Sequence, residues 1–420
     1  MKKLLLQLAL LLTIPLLSNG QSNWERVESL PATAMTDLIV KNDTLWTASE
    51  NIVYVSYDGG TSWAYTGPVA PNVQEVYTLH AKSNTVYAGT LGQGIFVSQN
   101  DGFHWQAYNE GLAGNALHIV DIAEKGDTLF IGTSGAGVYF RVKNGLRWQP
   151  YNENLGDRIA YSVNTLLATK DKLYLGTGAH GYLYHRAGGD ANWTGVPIAN
   201  PFISGLTAQS FVEINGSILA ATALGIYRST NQGKSWQRFG FGFNPNDYGA
   251  GDYRLSKTGQ TLYLSINVID YGFHFFQSKD GGENWYYLES FVAGFGYAAG
   301  RSGKYIYLAS EFGMLRTEAD VVSDDNEVNN PHQHDMLINT VFPNPAREQF
   351  NISLTLQKGS FVTARIFNAL GAEVAVLHAD QLAAGQHTLT WNNTNLPAGT
   401  YQLLVQTPQS LETRQLIKIN

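Results

Sequence analysis

Residues 56–63 read Ser-Tyr-Asp-Gly-Gly-Thr-Ser-Trp, and the turn that ends in this tryptophan returns through the first three quarters of the chain. The tryptophans of the series are Trp24, Trp63, Trp105, Trp148, Trp193, Trp236 and Trp285. Successive members are separated by 39, 42, 43, 45, 43 and 49 residues, and only Trp46 and Trp391 lie outside the series. A period of about 43 residues is typical of a four-stranded propeller blade.

Two short strands precede each tryptophan of the series after the first. The first is apolar and ends in a small residue, as in Val86–Thr90, Leu129–Thr133, Leu173–Thr177 and Ile218–Thr222. The second usually opens with glycine, as in Gly94–Ser98, Gly137–Phe140, Gly181–Tyr184 and Gly225–Ser229. One such sheet cannot bury both of its faces, whereas sheets stacked around an axis can, and they leave only short edges exposed. The pattern therefore predicts an all-β propeller.

The number of units predicts seven blades. Six complete units end at Trp63, Trp105, Trp148, Trp193, Trp236 and Trp285. A seventh begins near Ala293, supplies strands at Tyr305–Ser310 and Gly313–Thr317, and then stops without a tryptophan strand. Residues 23–27 resemble residues 235–239, which form such a strand earlier in the chain. We therefore expect the N-terminal strand to complete the last blade and close the ring, because propellers avoid open edges.

The turn before the tryptophan resembles the Asp box of BNR-like repeats. Its four best copies are Ser56, Asp58, Gly60 and Trp63; Ser98, Asn100, Gly102 and Trp105; Ser229, Asn231, Gly233 and Trp236; and Ser278, Asp280, Gly282 and Trp285. We expect the Asp or Asn oxygen to accept hydrogen bonds from backbone N–H groups one or two residues on, which makes the turn structural. A calcium site is disfavoured because each turn carries one acid where a calcium loop uses several.

Asp-box repeats occur in sialidases, sortilin-type receptors, xyloglucan-active glycoside hydrolases and a photosystem assembly factor. The resemblance therefore implies a fold and no particular activity. Three hypotheses stay open: a binding or scaffold module for glycan or protein, a glycoside hydrolase that uses loop carboxylates, and a structural envelope protein. We favour binding, because the Arg-Ile-Pro signature of sialidases is absent and xyloglucan-active enzymes use two propellers around a cleft.

The loops on the face opposite the Asp boxes are the candidate ligand face. Aromatic residues with interspersed amides suit a sugar or a peptide, and the candidate residues of this face are Tyr108, Glu110, Tyr151, Glu153, His180, Phe241, Tyr248, Asp252 and Tyr271. Packing between blades is an alternative role for most of these side chains. No residue is assigned a catalytic role.

Composition excludes several classes of function. The chain of 420 residues has no cysteine, so disulfides, thiolate metal sites and cysteine nucleophiles are excluded. Its net charge is −7 and it has no basic run, so we expect no nucleic-acid partner. We expect no cofactor and no metal.

The N-terminus resembles an export signal. Lys2 and Lys3 precede the apolar stretch Leu4–Leu17, and small residues follow at positions 18 and 20. A membrane span needs about 20 apolar residues, so this shorter stretch predicts a cleaved signal peptide over residues 1–20. We expect a propeller over residues 21–320, an acidic linker over 321–340, and no transmembrane segment after the signal peptide is removed.

Residues 341–420 form a separate small domain of short alternating strands, which predicts an Ig-like β-sandwich. The domain closely resembles the type A C-terminal sorting domain of type IX secretion substrates in the Bacteroidetes. The resemblance rests on Pro343, Asn344, Pro345, Gly371, Gly399, Tyr401 and Lys418. It implies binding to the type IX secretion machinery, export across both membranes, and a location at the cell surface or outside the cell. An ordinary Ig-like binding module is the alternative.

Overall fold

The structure, a computed structural model, describes residues 24–156, 158–178, 182–197, 207–223, 225–239, 251–268, 272–291, 294–319, 336–368, 373–393, 396–407 and 411–419. The signal peptide predicted for residues 1–20 lies outside this part of the chain, as does most of the predicted linker. So do five candidate residues: His180, Phe241, Tyr248, Tyr271 and Gly371. The described residues fall into two compact units, one up to residue 319 and one from residue 336.

The first unit begins with the short strand β1 (Glu25–Arg26) and continues with four-stranded blades. Blade one contains β2 (Asp37–Lys41), β3 (Thr44–Ser49), β4 (Ile52–Ser56) and β5 (Ala64–Pro68). Blade two contains β6 (Val76–Lys82), β7 (Thr85–Thr90), β8 (Ile95–Ser98) and β9 (Gln106–Ala107). Blade three contains β10 (Ile119–Lys125), β11 (Thr128–Thr133), β12 (Gly137–Val142) and β13 (Gln149–Pro150).

The remaining blades repeat this order. Blade four contains β14 (Val163–Ala168), β15 (Lys172–Thr177), β16 (Tyr182–Ala187) and β17 (Thr194–Pro197). Blade five contains β18 (Ala208–Ile214), β19 (Ser217–Thr222), β20 (Gly225–Ser229) and β21 (Gln237–Arg238). Blade six contains β22 (Asp252–Thr258), β23 (Thr261–Val268), β24 (Gly272–Ser278) and β25 (Tyr286–Phe291). Blade seven contains β26 (Gly296–Ser302), β27 (Tyr305–Ser310), β28 (Gly313–Glu318) and β1. Two 3₁₀ turns, Gly114–Leu117 and Arg158–Tyr161, precede blades three and four.

The blades form a closed ring, which confirms the predicted propeller. In each blade the strands pair in antiparallel order from the first, innermost strand outwards. The inner strands contact one another in the cyclic order β2, β6, β10, β14, β18, β22, β26 and back to β2. Antiparallel order places the turns after the first and third strands on one face, here called the Asp-box face. The loops after the second and fourth strands lie on the other, here called the loop face.

The N-terminal strand completes blade seven, as the sequence predicts. Glu25 pairs with Arg316 and Arg26 with Leu315, and the Val27 N–H donates to the Met314 carbonyl at 2.8 Å. Trp24 is buried, and its ring meets Phe275 of blade six edge-on at 5.5 Å. The first described residues therefore seal the ring in two ways, by pairing within blade seven and by packing against blade six.

The Asp-box turns join the third and fourth strands of their blades. In blade one the Ser56 hydroxyl donates to Asp58 Oδ1 at 2.8 Å and accepts the Gly60 N–H at 2.8 Å. Asp58 Oδ1 accepts the Ser62 N–H at 2.8 Å, and Asp58 Oδ2 accepts the Ser62 hydroxyl at 2.6 Å. The main-chain partner therefore lies four residues on, and the expectation of one or two residues was wrong. The bonds from Ser62 hold the pKa of Asp58 at about 2.

The same bond, from the backbone N–H four residues on, is present in the other three Asp-box turns. Asn100 accepts the His104 N–H at 2.9 Å, Asn231 accepts the Ser235 N–H at 3.0 Å, and Asp280 accepts the Asn284 N–H at 2.9 Å. The tryptophan indole N–H donates back into the turn in two copies, from Trp63 to Gly60 and from Trp285 to Gly282. An amide oxygen therefore replaces the carboxylate without loss of the main-chain bond.

Replacing Asp58 tests this account of the turn. Asp58→Ala removes the acceptor of two Ser62 bonds, and we expect it to lower the free energy of unfolding by about 1 kcal/mol. Asp58→Asn is the matched control, because Asn100 and Asn231 make the same main-chain bond in their own turns, so its loss should be smaller. Chemical denaturation measures both. Equal losses in the two variants, or no loss in either, would contradict the account.

The second unit is a two-layer β-sandwich, consistent with the predicted Ig-like domain. One sheet orders β29 (Met336–Phe342), β30 (Gln349–Leu356) and β33 (Gly385–Asn392). The other orders β32 (Glu373–Leu382), β31 (Ser360–Asn368), β34 (Gly399–Gln406) and β35 (Leu411–Lys418). Phe350, Trp391 and Tyr401 pack together in the core between them.

The residues of the sorting motif tie the start of this domain to its end. The Ile417 N–H donates to the Asn344 side-chain oxygen at 2.9 Å, and the Lys418 ammonium donates to the Arg347 carbonyl at 2.7 Å. Ala346 forms a parallel bridge with Lys418 between these two bonds. Tyr401 donates its hydroxyl to the Pro397 carbonyl at 2.8 Å. The Pro-Asn-Pro segment and the residues after it are therefore hydrogen-bonded to the last strand, although Asn344 and Lys418 lie far apart in the sequence.

Candidate functional site

The inner strands share an irregularity at their loop-face ends. Five of the seven described inner strands carry a register shift there, and in each of them one residue is left between two paired neighbours. These bulged residues are Tyr77, Val120, Asn164, Gln209 and Tyr297. A β-bulge redirects a side chain and is enriched at sheet edges, at barrel rims and next to active sites. Here it directs one side chain from each of five blades towards the central channel.

Four of the bulged residues line a polar cavity at the loop-face end of the channel, here called the mouth cavity. Its volume is about 420 Å³. It is lined by Tyr77, Val120, Ser134, Ser162, Val163, Asn164, Thr207, Gln209, Asp252 and Arg254. A second cavity of about 370 Å³ shares several of these residues and also meets Asp37, Glu75, Asp121 and Tyr297. Blades two to six each contribute to the mouth cavity.

Arg254 is the central charged group of the mouth cavity. Its Nε donates to Asp252 Oδ2 at 2.8 Å, and its guanidinium also hydrogen-bonds the side chain of Tyr77. Burial lowers the pKa of Arg254, but the Asp252 carboxylate and Tyr77 outweigh it and raise that pKa. Arg254 belongs to blade six and Tyr77 to blade two, three steps around the ring of seven. The guanidinium therefore reaches across the channel.

Some polar groups of the mouth cavity are committed to the fold, and others are free. The Gln209 amide accepts the Tyr253 N–H at 2.7 Å and donates to the Gly251 carbonyl at 3.3 Å, so it joins blade five to blade six. The side chains of Ser134, Ser162 and Asn164 form no hydrogen bond with the described residues of the chain. These three groups, and the buried Asp252 Oδ1 that has no partner in the described part of the chain, are among those that a ligand can engage without breaking a bond of the propeller.

Two carboxylates deeper in the channel join neighbouring blades. Asp37 Oδ2 accepts the Leu79 N–H of the next blade at 2.8 Å, and Asp121 Oδ2 accepts the Leu166 N–H at 2.6 Å. Burial raises the pKa of Asp37, and it raises the pKa of Asp121 to about 6. Their oxygens are used in bonds within the propeller, which favours a structural role for both.

Four candidate ligand residues, here called the rim, make contacts between blades and do not line the mouth cavity: Tyr108, Glu110, Tyr151 and Glu153. The Arg141 guanidinium of blade three stacks 3.5 Å from the Tyr108 ring centroid and pairs with Glu110 at 3.1 Å. In the next blade Arg186 repeats both contacts, with Tyr151 at 3.5 Å and Glu153 at 2.8 Å. The tyrosine carbonyls accept the indole N–H groups of Trp148 and Trp193.

Of the candidate ligand residues that the structure describes, only Asp252 lines the mouth cavity. Tyr77, Asn164 and Arg254, which come from inner strands, are absent from the sequence-based set. Polar and apolar residues alternate around these positions as in any strand, and no residue type marks the position of a bulge. Among the described residues no group of three His, Asp or Glu side chains is placed to hold a metal ion. No helix in the described part of the chain has the length and apolar character to cross a membrane.

Comparison with known proteins identifies the second unit. The family of secretion system C-terminal sorting domains matches residues 340–420. This region is therefore a type IX secretion sorting domain, and the chain is exported to the cell surface or the extracellular space. No curated protein matches the sequence significantly.

Solved structures that resemble the chain are β-propellers of low sequence identity. YCF48 bound to D1 peptide is 16% identical with a TM-score of 0.55, and the match covers 72% of this chain and 98% of that one. The extracellular domain of BT4673 from B. thetaiotaomicron is 12% identical with a TM-score of 0.55, over 96% of this chain and 60% of that one. The Niastella koreensis GH74 enzyme is 19% identical with a TM-score of 0.53, over 70% of this chain and 44% of that one. At these identities the likeness concerns the fold alone.

Proposed function

We propose that the propeller is a non-catalytic binding module for a glycan or protein ligand, and that its binding site is the mouth cavity. The observation that carries the proposal is the convergence of bulged residues from four blades on one polar cavity. Within it, Ser134, Ser162 and Asn164 are free to bond a ligand. YCF48 is a propeller solved with a bound peptide, which supports a binding role for this kind of fold.

Catalysis is less well supported than binding. A glycoside hydrolase places two carboxyl groups on either side of the bond that it cleaves. Asp252 is the one carboxylate among the described residues that line the mouth cavity, and Arg254 holds it at 2.8 Å. The lining therefore favours recognition over hydrolysis.

The route of export completes the proposal. A signal peptide over residues 1–20 takes the chain into the periplasm, and the sorting domain from about residue 341 directs it through the outer membrane. Cleavage in the acidic linker over residues 321–340 then separates the two domains. The propeller of residues 21–320 is the part that acts at the surface or outside the cell.

Binding variants test the location of the site. Asn164→Ala removes a free amide from the mouth cavity, and we expect it to weaken ligand binding about fivefold, the effect of one lost hydrogen bond. Glu110→Gln is the matched control on the rim, where the carboxylate pairs with Arg141, and it should leave binding unchanged. Glycan and peptide arrays probed with the exported protein identify ligands, and titration of the strongest gives the dissociation constants. The opposite pattern, a loss in Glu110→Gln and none in Asn164→Ala, would place the site on the rim.

A further inference from the structure

We propose that the mouth cavity binds the end of a neutral glycan chain. This inference rests on the proposed function and adds the chemical class of the ligand and the direction from which it enters. It is carried by the shape of the cavity, by the balance of charge within it, and by the hydrogen-bonding groups that it leaves free.

The shape of the cavity admits a chain end. Blades two to six supply its wall, from Tyr77 round to Arg254. The hydrogen bond between Arg254 and Tyr77 spans the channel on the remaining side, and the adjoining cavity continues to Tyr297 of blade seven and Asp37 of blade one. A polymer that binds along its length needs a groove with two open ends, whereas a cavity at the end of a channel between inner strands is entered along that channel, by a terminal unit.

The charge of the cavity favours a neutral ligand. Asp252 and Arg254 are the only charged residues in its described lining, and their pairing at 2.8 Å leaves no net charge. An anionic ligand would lose hydration without finding an uncompensated cation. Asp37, Glu75 and Asp121 line the adjoining cavity and would further repel an anionic sugar.

The free polar groups match the hydroxyls of a sugar. A serine hydroxyl donates and accepts, and so does an asparagine amide, which are the same capacities that each sugar hydroxyl offers. Ser134, Ser162 and Asn164 supply three such groups on adjacent blades. Ligand pockets in general are mainly apolar, whereas Val120 and Val163 are the only aliphatic residues in this described lining, so its wall suits a ligand rich in hydroxyl groups. Tyr77, 36% exposed, adds an accessible aromatic ring.

Saturation-transfer NMR on the exported protein tests both parts of the inference. The probes are linear neutral oligosaccharides of four residues from glucan, xylan, mannan and galactan, together with a sialylated trisaccharide and a set of acidic and basic peptides. We expect at least one neutral oligosaccharide to bind, with the strongest transfer at one terminal ring. Binding should weaken about fivefold in Asn164→Ala and stay unchanged in Glu110→Gln.

Each unexpected outcome of this experiment contradicts a different claim. Binding of peptides or of the sialylated trisaccharide alone, weakened by Asn164→Ala, would overturn the neutral-glycan inference and leave the binding function in place. Transfer spread evenly along the oligosaccharide would overturn end-on entry. If no probe bound, or if Asn164→Ala left binding unchanged, both the inference and the proposed site would fall.

Discussion

Removing residues 341–420 is expected to leave a folded propeller in the periplasm and none at the cell surface. Residues 340–420 match the sorting-domain family, so the deletion removes the signal for passage through the outer membrane. The propeller has its own closed core, with inner strands that contact around the whole ring, and does not need the sandwich in order to fold. Loss of export is therefore expected without loss of structure.

Cell fractionation with limited proteolysis measures both outcomes. The truncated chain should be absent from the surface and medium, and its periplasmic form should resist protease like the full chain. A full-length chain carrying Glu110→Gln is the control and should be exported normally. Mass spectrometry of the surface form should show that the last eighty or so residues have been removed. Export of the truncated chain, or a mature protein that retains Asn420, would contradict the traffic account.

Removing residues 21–30 is expected to open the propeller. The deletion takes away β1, which pairs with β28, and the buried side chains of Trp24, Val27 and Leu30. Burial of such side chains contributes about 1.5–3 kcal/mol each, so the deletion should lower the free energy of unfolding by on the order of 5 kcal/mol. It also leaves the backbone groups of β28 unpaired at an exposed edge, which favours pairing with another chain.

Calorimetry and light scattering test closure on chains expressed without the leader, one starting at residue 21 and one at residue 31. We expect the shorter chain to melt about 8 °C below the longer one and to form oligomers. Glu28→Ala in the longer chain is the control, because this side chain is 76% exposed and the variant should melt normally. A shorter chain that stays monomeric with an unchanged melting temperature would show that β1 is dispensable.

The sequence predicts the blades well because six of the seven units end in a tryptophan turn. Gly60 illustrates the reason: its φ is 88°, and a Cβ there would lie 2.3 Å from the Tyr307 hydroxyl, so glycine is required at this point of the turn. Closure by Trp24 is predictable for the same reason, because the missing tryptophan strand leaves one visible gap in a regular series.

The binding site is harder to predict because bulges carry no such signal. Tyr77 and Asn164 occupy positions that look like ordinary strand residues, and only the register shift directs them towards the channel.

A repeated motif is also hard to interpret from the sequence alone. Tyr-Asn-Glu occurs at both residues 108–110 and 151–153, and the two copies make the same contacts with Arg141 and Arg186. Because both copies are bonded to an arginine of the next blade, they are more consistent with blade packing than with a ligand site.

A crystal structure of the propeller with its strongest array ligand tests the central claim most directly. The account predicts ligand density at the loop-face end of the channel, within hydrogen-bonding distance of Asn164, with the Arg254–Asp252 pair intact. Density on the rim beside Tyr108 or Tyr151, with the mouth cavity empty, would contradict it.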